Sequence, residues 1–439
     1  MARDKRKYDE IARKHGDPWI WGIYFMLLII SVVESYSASS QEVAKEGVYM
    51  PMIKHNLFLL AGLGIVFFLK RIDYNNKTLL AVMIPLLGVV TLFSLVYVMF
   101  GPVINNAKRA IVLPGGFTFQ PVELAKLSIV TLLAYILARN QKNKDVSTKG
   151  VIIAVAIVTL YSGLMFRSGL TNTLLLMTIS LSMVLIGGLK FKKFFALLGM
   201  YAIIAFGYMT LSSHNDKMEA NLQQDNGAIA MVDEGDKSKE VDRSGTWASR
   251  VSFWKESNNL VYQKLNDQNA QAMLSRMAQA HGGLTGVGLG NSRECSRLPL
   301  AFSDYIYSII VEETGLIGGI FIIVLFMWLL ARAAMIARKC RRVLPALLII
   351  GMASLIAYQA LFHMAINSGL FPVSGQPLPL ISKGGTSILA ISVAFGIMLS
   401  VSRTIANQNN KNSKTEDDKL PAGLDAENPT QLIRPNEWK

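Results

Sequence analysis

Along most of its length the chain alternates long apolar runs with short polar stretches. WIWGIYFMLLIISVV from Trp19 and GVVTLFSLVYVMF from Gly88 contain no charged residue. A surface helix of a soluble domain keeps a polar stripe; one that is apolar all round has lipid or protein on every side. Runs of this length can cross a hydrocarbon layer about 30 Å thick. The pattern predicts ten spans, at 18–38, 54–69, 78–100, 120–138, 150–166, 170–189, 194–212, 303–331, 343–367 and 385–402. The expected fold is therefore an all-α polytopic membrane protein of about ten transmembrane helices. No tandem repeat or pair of inverted halves is visible. The charged start MARDKRK leads into a full-length span rather than a short apolar region with a cleavage site, so the first span is expected to stay attached.

Charge orients this array. The formal net charge of +14 would suit a nucleic-acid binder if the basic residues lined one soluble surface. Instead they fall in alternate loops: Arg3, Lys5, Arg6, Lys7, Arg13 and Lys14 at the N-terminus, then Lys70 to Lys77, Arg139 to Lys149, Lys190 to Lys193 and Arg332 to Arg342. That alternation is the positive-inside pattern; it excludes nucleic acid as a partner and predicts both termini in the cytoplasm. The expected organisation is a cytoplasmic N-terminus at 1–17, a transmembrane domain at 18–406 and a disordered cytoplasmic tail at 407–439. A large extracytoplasmic loop, 213–302, separates spans seven and eight. Its two ends differ, polar and charge-rich at the start and helix-like from Trp247 to Ala280. Cys295 and Cys340 fall on opposite sides, so they cannot pair, and neither has a metal-type spacing.

Ionisable groups inside spans are costly and mark candidate chemistry. In FQPVELAKLSIV, which begins beside Gln120, Glu123 and Lys126 are three residues apart and share a helical face. They can form an ion pair lining a cavity, or a structural interhelical pair. In LPLAFSDYIYSIIVEETGLIG, Asp304 opens the eighth span at the water boundary, where a carboxylate can act as a general base or simply cap the helix. Glu312 and Glu313 point to different faces and suit helix anchoring. HGGLTGVGLGNS has glycine spacing like a phosphate loop, but no strand or βαβ unit surrounds it, so its glycines are expected to allow tight turns against the bundle. FPVSGQPLPLISKGGTS carries Ser382 and Lys383, the latter a cation near the outer surface that could hold a pyrophosphate or belong to a rigid connector.

Three ordered blocks resemble the SEDS family (shape, elongation, division and sporulation). Lys108-Arg109 followed by FTFQPVELAK is similar to the family's Arg-Trp and Gln-Pro-Ser-Glu-x-x-Lys. HGGLTGVGLGNS with LPLAFSDYIYSIIVEETGLIG is similar to its glycine run and Asp-Phe-Ile-Phe-x-x-x-x-Glu-Glu-x-Gly, and NSGLFPVSGQPLPLISKGGTS to its Pro-x-x-Gly-x-Pro-Leu-Pro-x-x-Ser-Tyr-Gly-Gly-Ser-Ser. The match covers nearly the whole transmembrane chain and is most like the division member, with the elongation member second. Departures are Ala110 for Trp, Val122 for Ser, Leu300 for Glu, Lys383 for Tyr, and RSGLTNT in place of Pro-Asp-x-Gly-Thr.

The resemblance implies a peptidoglycan glycosyltransferase that polymerises lipid II, with Asp304 as general base and Glu123 and Lys126 in the cavity. Arg109, Lys126 and Lys383, or a divalent cation such as Mg2+ or Mn2+, could stabilise the pyrophosphate leaving group; the sequence requires no particular metal. Gln120 and Ser382 join the substrate cavity as neighbours of these groups. Implied partners are lipid II, undecaprenyl-pyrophosphate-linked glycan, a class B penicillin-binding protein and other divisome proteins, at the bacterial inner membrane and the division septum. Two other readings stand beside it: a lipid II flippase, and a non-catalytic division scaffold.

Overall fold

The computed structural model describes residues 2–38, 49–72, 77–99, 110–113, 117–142, 145–166, 169–189, 193–195, 199, 254 and 269–417. In chain order the helices are α1 (Ala2–His15), α2 (Pro18–Ser37), α3 (Tyr49–Leu69), α4 (Lys77–Met99), α5 (Pro121–Arg139), α6 (Thr148–Phe166), α7 (Leu170–Ile186), α8 (Ala270–Gly282), α9 (Ile306–Arg338), α10 (Val343–Asn367) and α11 (Gly385–Asp417). Two short antiparallel hairpins interrupt them: β1 (Ile111–Leu113) with β2 (Phe117–Phe119), and β3 (Gln141–Lys142) with β4 (Asp145–Val146). Among the described residues, eight helices are long and apolar enough to cross a membrane, and α7 is a shorter apolar one. Each coincides with a predicted span; of the remaining predicted span, 194–212, only residues 194, 195 and 199 are described.

Local signals place the helix ends. Asp17 caps α2, its Oδ1 accepting from Trp19 N at 3.0 Å, and Pro18 follows at a position that needs no donor. Pro121 opens α5 in the same way. The bundle interior consists of α5, α10 and α11, buried over 83%, 67% and 78% of their apolar windows, against 22–33% for α3, α4, α6 and α9. Such burial is why polar side chains on α5 and α10 can be tolerated: they meet protein rather than lipid.

The two bundle ends differ in character. At one, Asp17 joins α1, α2, α9 and α11: Arg332 Nη2 donates to its carboxylate at 2.6 Å, Tyr8 Oη donates at 2.6 Å, and its own N–H donates to Ser402 Oγ at 2.9 Å. Burial is the main cause that raises the Tyr8 pKa, followed by the Asp17 carboxylate, so its hydroxyl stays a donor. Cys340 also lies at this end; burial pushes its thiol up to about 12, so it is inert at neutral pH. Neither Cys295 nor Cys340 is in a disulfide. The opposite end collects the turns before α5, α9 and α11.

Three features differ from the sequence expectation. The N-terminal segment, for which no element is predicted from the sequence, is helical, and Tyr8 docks it on the Asp17–Arg332 pair. The last helix does not stop at 402 but runs to Asp417, so the segment from Asn407 begins as helix. A polar stretch appended to a buried helix needs only propagation and no new nucleus, which explains its folding despite its composition. The eighth predicted span begins at Ile306, so Asp304 precedes the helix instead of opening it.

The glycine run from His281 behaves as a docking strap, as its spacing suggests. It lies against α9 where Gly315 breaks the helix with φ 73° and ψ −175°. Val287 N donates to Glu312 O at 3.0 Å, Gly288 N to Glu313 O at 2.9 Å and Leu316 N to Gly283 O at 3.0 Å, satisfying groups freed by the break. A Cβ on Gly286 would stand 2.1 Å from the Glu313 carbonyl, and its φ is +81°. Gly286→Ala is therefore expected to cost at least about 2 kcal/mol and to lower the thermal midpoint of the detergent-solubilised protein by several degrees.

Candidate active site at the bundle end opposite the N-terminus

Asp304 sits half-buried in the turn before α9. It is not the helix cap, since Tyr305 holds that position with no side-chain cap bond. The turn is built from its own backbone: Ser303 N and Asp304 N donate to Leu300 O at 3.0 and 2.9 Å, and Leu300 has φ 59°. A left-handed leucine costs on the order of 1–2 kcal/mol, and surrounding contacts hold it. Ser303 Oγ donates to Asp304 Oδ1 at 2.7 Å. Asn367, the last residue of α10, donates from Nδ2 to the Asp304 carbonyl at 2.9 Å. The carboxylate also faces Gly375, where a Cβ would come within 2.9 Å of Oδ2. Gly375→Ala is expected to displace the carboxylate at unchanged thermal midpoint, so an activity that uses Asp304 should fall about tenfold.

The third sequence block folds over this turn. Its Leu380, at φ 64°, repeats the Leu-Pro-Leu conformation of Leu300. Ser382 is buried, accepts from Leu378 N at 2.7 Å and donates to Ser303 O at 2.6 Å, while Lys383 N donates to Phe302 O at 3.0 Å. Ser382 is thus a clamp on the Asp304 turn. Lys383 is half-buried beside it, its ammonium near the imidazole of His55.

Deeper in the bundle, Lys126 Nζ donates to Glu123 Oε1 at 2.7 Å, with the side chains 1% and 4% exposed. Both lie in the first two turns of α5, where the helix dipole favours Glu123. Lys126 also donates to Gln359 Oε1 at 3.0 Å, and Gln359 Nε2 donates to Pro377 O at 3.1 Å. Gln120, exposed before α5, receives a different tie: its N–H donates to Thr386 Oγ1 at 3.3 Å. Arg109 lies outside the described residues.

The element that joins these parts is absent from the sequence reading. Gln359, His363 and Asn367 stand at i, i+4 and i+8 on one face of α10. Gln359 holds Lys126, His363 Nδ1 donates to Gln376 O at 2.5 Å, and Asn367 holds Asp304. The face spans about 12 Å along the axis, so it links the buried ion pair to the half-buried carboxylate. Gln376 Nε2 further donates to Asn172 Oδ1 at 2.7 Å, so RSGLTNT, which lacks an acid, still reaches the site through an amide. The signal for this face is three polar residues at helical spacing inside an apolar span. Glu312 is an anchor as expected. It is fully buried and accepts from Ser292 Oγ at 2.5 Å and Arg293 N at 3.1 Å. Among the described residues no three His, Cys, Asp or Glu side chains converge as a metal site requires, and Glu123 is committed to Lys126.

Fold and polar face together define a polytopic helical membrane protein with its candidate chemistry in a surface turn wired to a buried ion pair. The chain belongs to the FtsW, RodA and SpoVE family of cell cycle proteins, whose model matches residues 18–407. It is 29% identical to the probable peptidoglycan glycosyltransferase FtsW of Xanthomonas oryzae, covering 92% of this chain and 76% of that one. The probable FtsW of Geobacter sulfurreducens is 30% identical, with 86% and 92% covered. Stage V sporulation protein E of Bacillus subtilis is 28% identical, with 87% and 95% covered. Among solved structures, a peptidoglycan synthase complex described as coordinating polymerization and crosslinking gives a TM-score of 0.63 at 21% identity, covering 88% of this chain and 98% of that one. The rod shape determining protein RodA of Thermus thermophilus gives 0.56 at 21% identity, covering 88% and 95%. These likenesses establish the shared fold.

Proposed function

We propose that this chain is a peptidoglycan glycosyltransferase that polymerises lipid II at the outer face of the bacterial cytoplasmic membrane, at the division septum, with Asp304 as general base. The observation that carries this reading is the single α10 face that ties the Asp304 turn, the Gln376–Ser382 segment and the Lys126–Glu123 pair into one unit. Polymerisation needs a base near water and cations near the departing lipid phosphate, and this unit supplies one of each.

In the reaction Asp304 takes the proton of the acceptor's GlcNAc 4-hydroxyl as its oxygen attacks the anomeric carbon of the lipid-linked donor. The bond to undecaprenyl pyrophosphate breaks as the glycosidic bond forms. The α-linked phosphate becomes a β-glycoside in one displacement, so no covalent glycosyl-enzyme forms. The proton passes from Asp304 to water, which its half-buried position permits. Lys126 and Lys383, with Arg109, oppose the charge that develops on the pyrophosphate. A divalent cation would supply the same stabilisation. A class B penicillin-binding protein is the partner that would cross-link the strands, and other divisome proteins bring the pair to the septum. The test is incubation of the purified chain and such a partner with labelled lipid II. Muramidase-sensitive β-linked polymer, with one undecaprenyl pyrophosphate released per bond, is expected; translocation of lipid II in liposomes with no polymer would replace this reading with a flippase.

A further inference from the structure

At the bundle end that carries α1, cations gather just after α3 and on α11, and among the described residues Glu10 and Asp17 are held by other partners, Lys14 at 2.8 Å and Arg332 at 2.6 Å. Lys70 follows the last residue of α3, and its side chain is largely buried. Its ammonium lies 4.2 Å from the Phe67 ring centroid and 5.1 Å from that of Trp21. Its contact with His15 Nδ1 is long, 3.5 Å, and is made to a ring nitrogen rather than to an anion. Arg71 is next in sequence. Arg403 on α11 donates from Nη2 to the Arg71 carbonyl at 3.0 Å, while its Nε is buried without a hydrogen-bond partner. Burial, then Arg71 and Arg403, hold the Lys70 pKa below the usual lysine value.

The depth of this cluster is marked independently. Trp19 and Trp328 meet edge to face at 5.7 Å, each well exposed on the lipid side, and Trp21 stacks on Phe25 at 5.3 Å. Tryptophans collect at the headgroup level of a bilayer, where an indole can face both acyl chains and water. Three cations at that level, one with an orphaned guanidinium N–H, call for an anion with several acceptor oxygens.

We propose that Lys70, Arg71 and Arg403 form a binding site for the phosphate of an anionic phospholipid, with Trp21 and Phe67 against the upper part of the lipid. The phosphate accepts from Arg403 Nε and from the Lys70 ammonium, and the acyl chains run beside α2 and α3. The site ties α3 to α11 at the end remote from the Asp304 turn, and it does not depend on the glycosyltransferase reading.

The experiment is native mass spectrometry of the full chain released from detergent micelles, supplemented with dioleoyl phosphatidylglycerol or with dioleoyl phosphatidylcholine. The wild type is expected to retain phosphatidylglycerol preferentially. Lys70→Gln/Arg403→Gln should cut that retention at least tenfold, whereas Arg13→Gln/Lys14→Gln on the exposed face of α1 leaves it unchanged. Should the first variant fail to fold, Lys70→Arg keeps its charge and should keep retention, whereas Arg403→Lys keeps the charge but removes the Nε donor and should lower it. Quenching of tryptophan fluorescence by brominated phosphatidylglycerol, compared with brominated phosphatidylcholine, reads the same site in the wild type. Equal retention or quenching by the two lipids, or retention untouched by Lys70→Gln/Arg403→Gln, overturns the proposal. Displacement of the lipid by equimolar inorganic phosphate overturns it as well, assigning the cluster to free phosphate.

Discussion

Lys126→Met is expected to destabilise the folded protein by about 3–5 kcal/mol, because it strands the Glu123 carboxylate in the bundle interior and leaves Gln359 Oε1 without its donor. The cost of breaking a buried pair far exceeds that of deleting it, since a lone buried charge keeps its whole desolvation penalty. Glu123→Gln/Lys126→Met removes both charges and should recover most of the lost thermal midpoint. Recovery of the fold separates structure from chemistry. The double variant is still expected not to polymerise, as nothing then opposes charge on the pyrophosphate at that depth. Polymerisation at the wild-type rate by the double variant would reduce the pair to a strut between α5 and α10.

Asp304→Asn is the other large expected effect, a loss of about 10²–10⁴ in polymerisation rate. Asparagine nearly matches the aspartate in volume, so it still fits against Gly375, and its Oδ1 can still accept from Ser303 Oγ. It cannot take the acceptor's proton. Lipid II binding and thermal midpoint are therefore expected to be unchanged, and a variant that loses binding together with rate would make Asp304 a contact residue instead of a base. A Tyr305 cap position with no side-chain bond already removes the plainer explanation that Asp304 is there to start α9.

Much of this fold is legible in the residues because membrane solvent imposes simple rules. Apolar runs mark the spans to within a few residues at most ends, and three-residue spacing puts Glu123 and Lys126 on one face, where they meet. The absence of any strand before the glycine run marks it as a strap. What escapes such reading is tertiary. Gln359, His363 and Asn367 are scattered in VLPALLIIGMASLIAYQALFHMAIN, and their partners lie 233, 13 and 63 residues away in the chain. Periodicity can place them on one face but cannot name what that face touches. The helix at Ala2–His15 is hidden for a related reason: its highly charged sequence reads as an orienting flank, and its docking depends on Arg332 near the far end of α9. The start of α9 lies three residues beyond the predicted one because the LPLAFSD segment continues the apolar pattern while its backbone turns at Leu300.

If a carboxylate in the turn before α9 drives glycan bond formation, its removal must be visible in the initial rate of polymer formation from labelled lipid II. That rate is best measured in detergent micelles, where no leaflets exist to be crossed. Wild-type chain and Asp304→Asn are compared there with the same class B penicillin-binding protein present. A ladder of muramidase-sensitive glycan is expected from the wild type and background signal from the variant at equal lipid II binding; equal ladders from both would contradict the role of Asp304 as base.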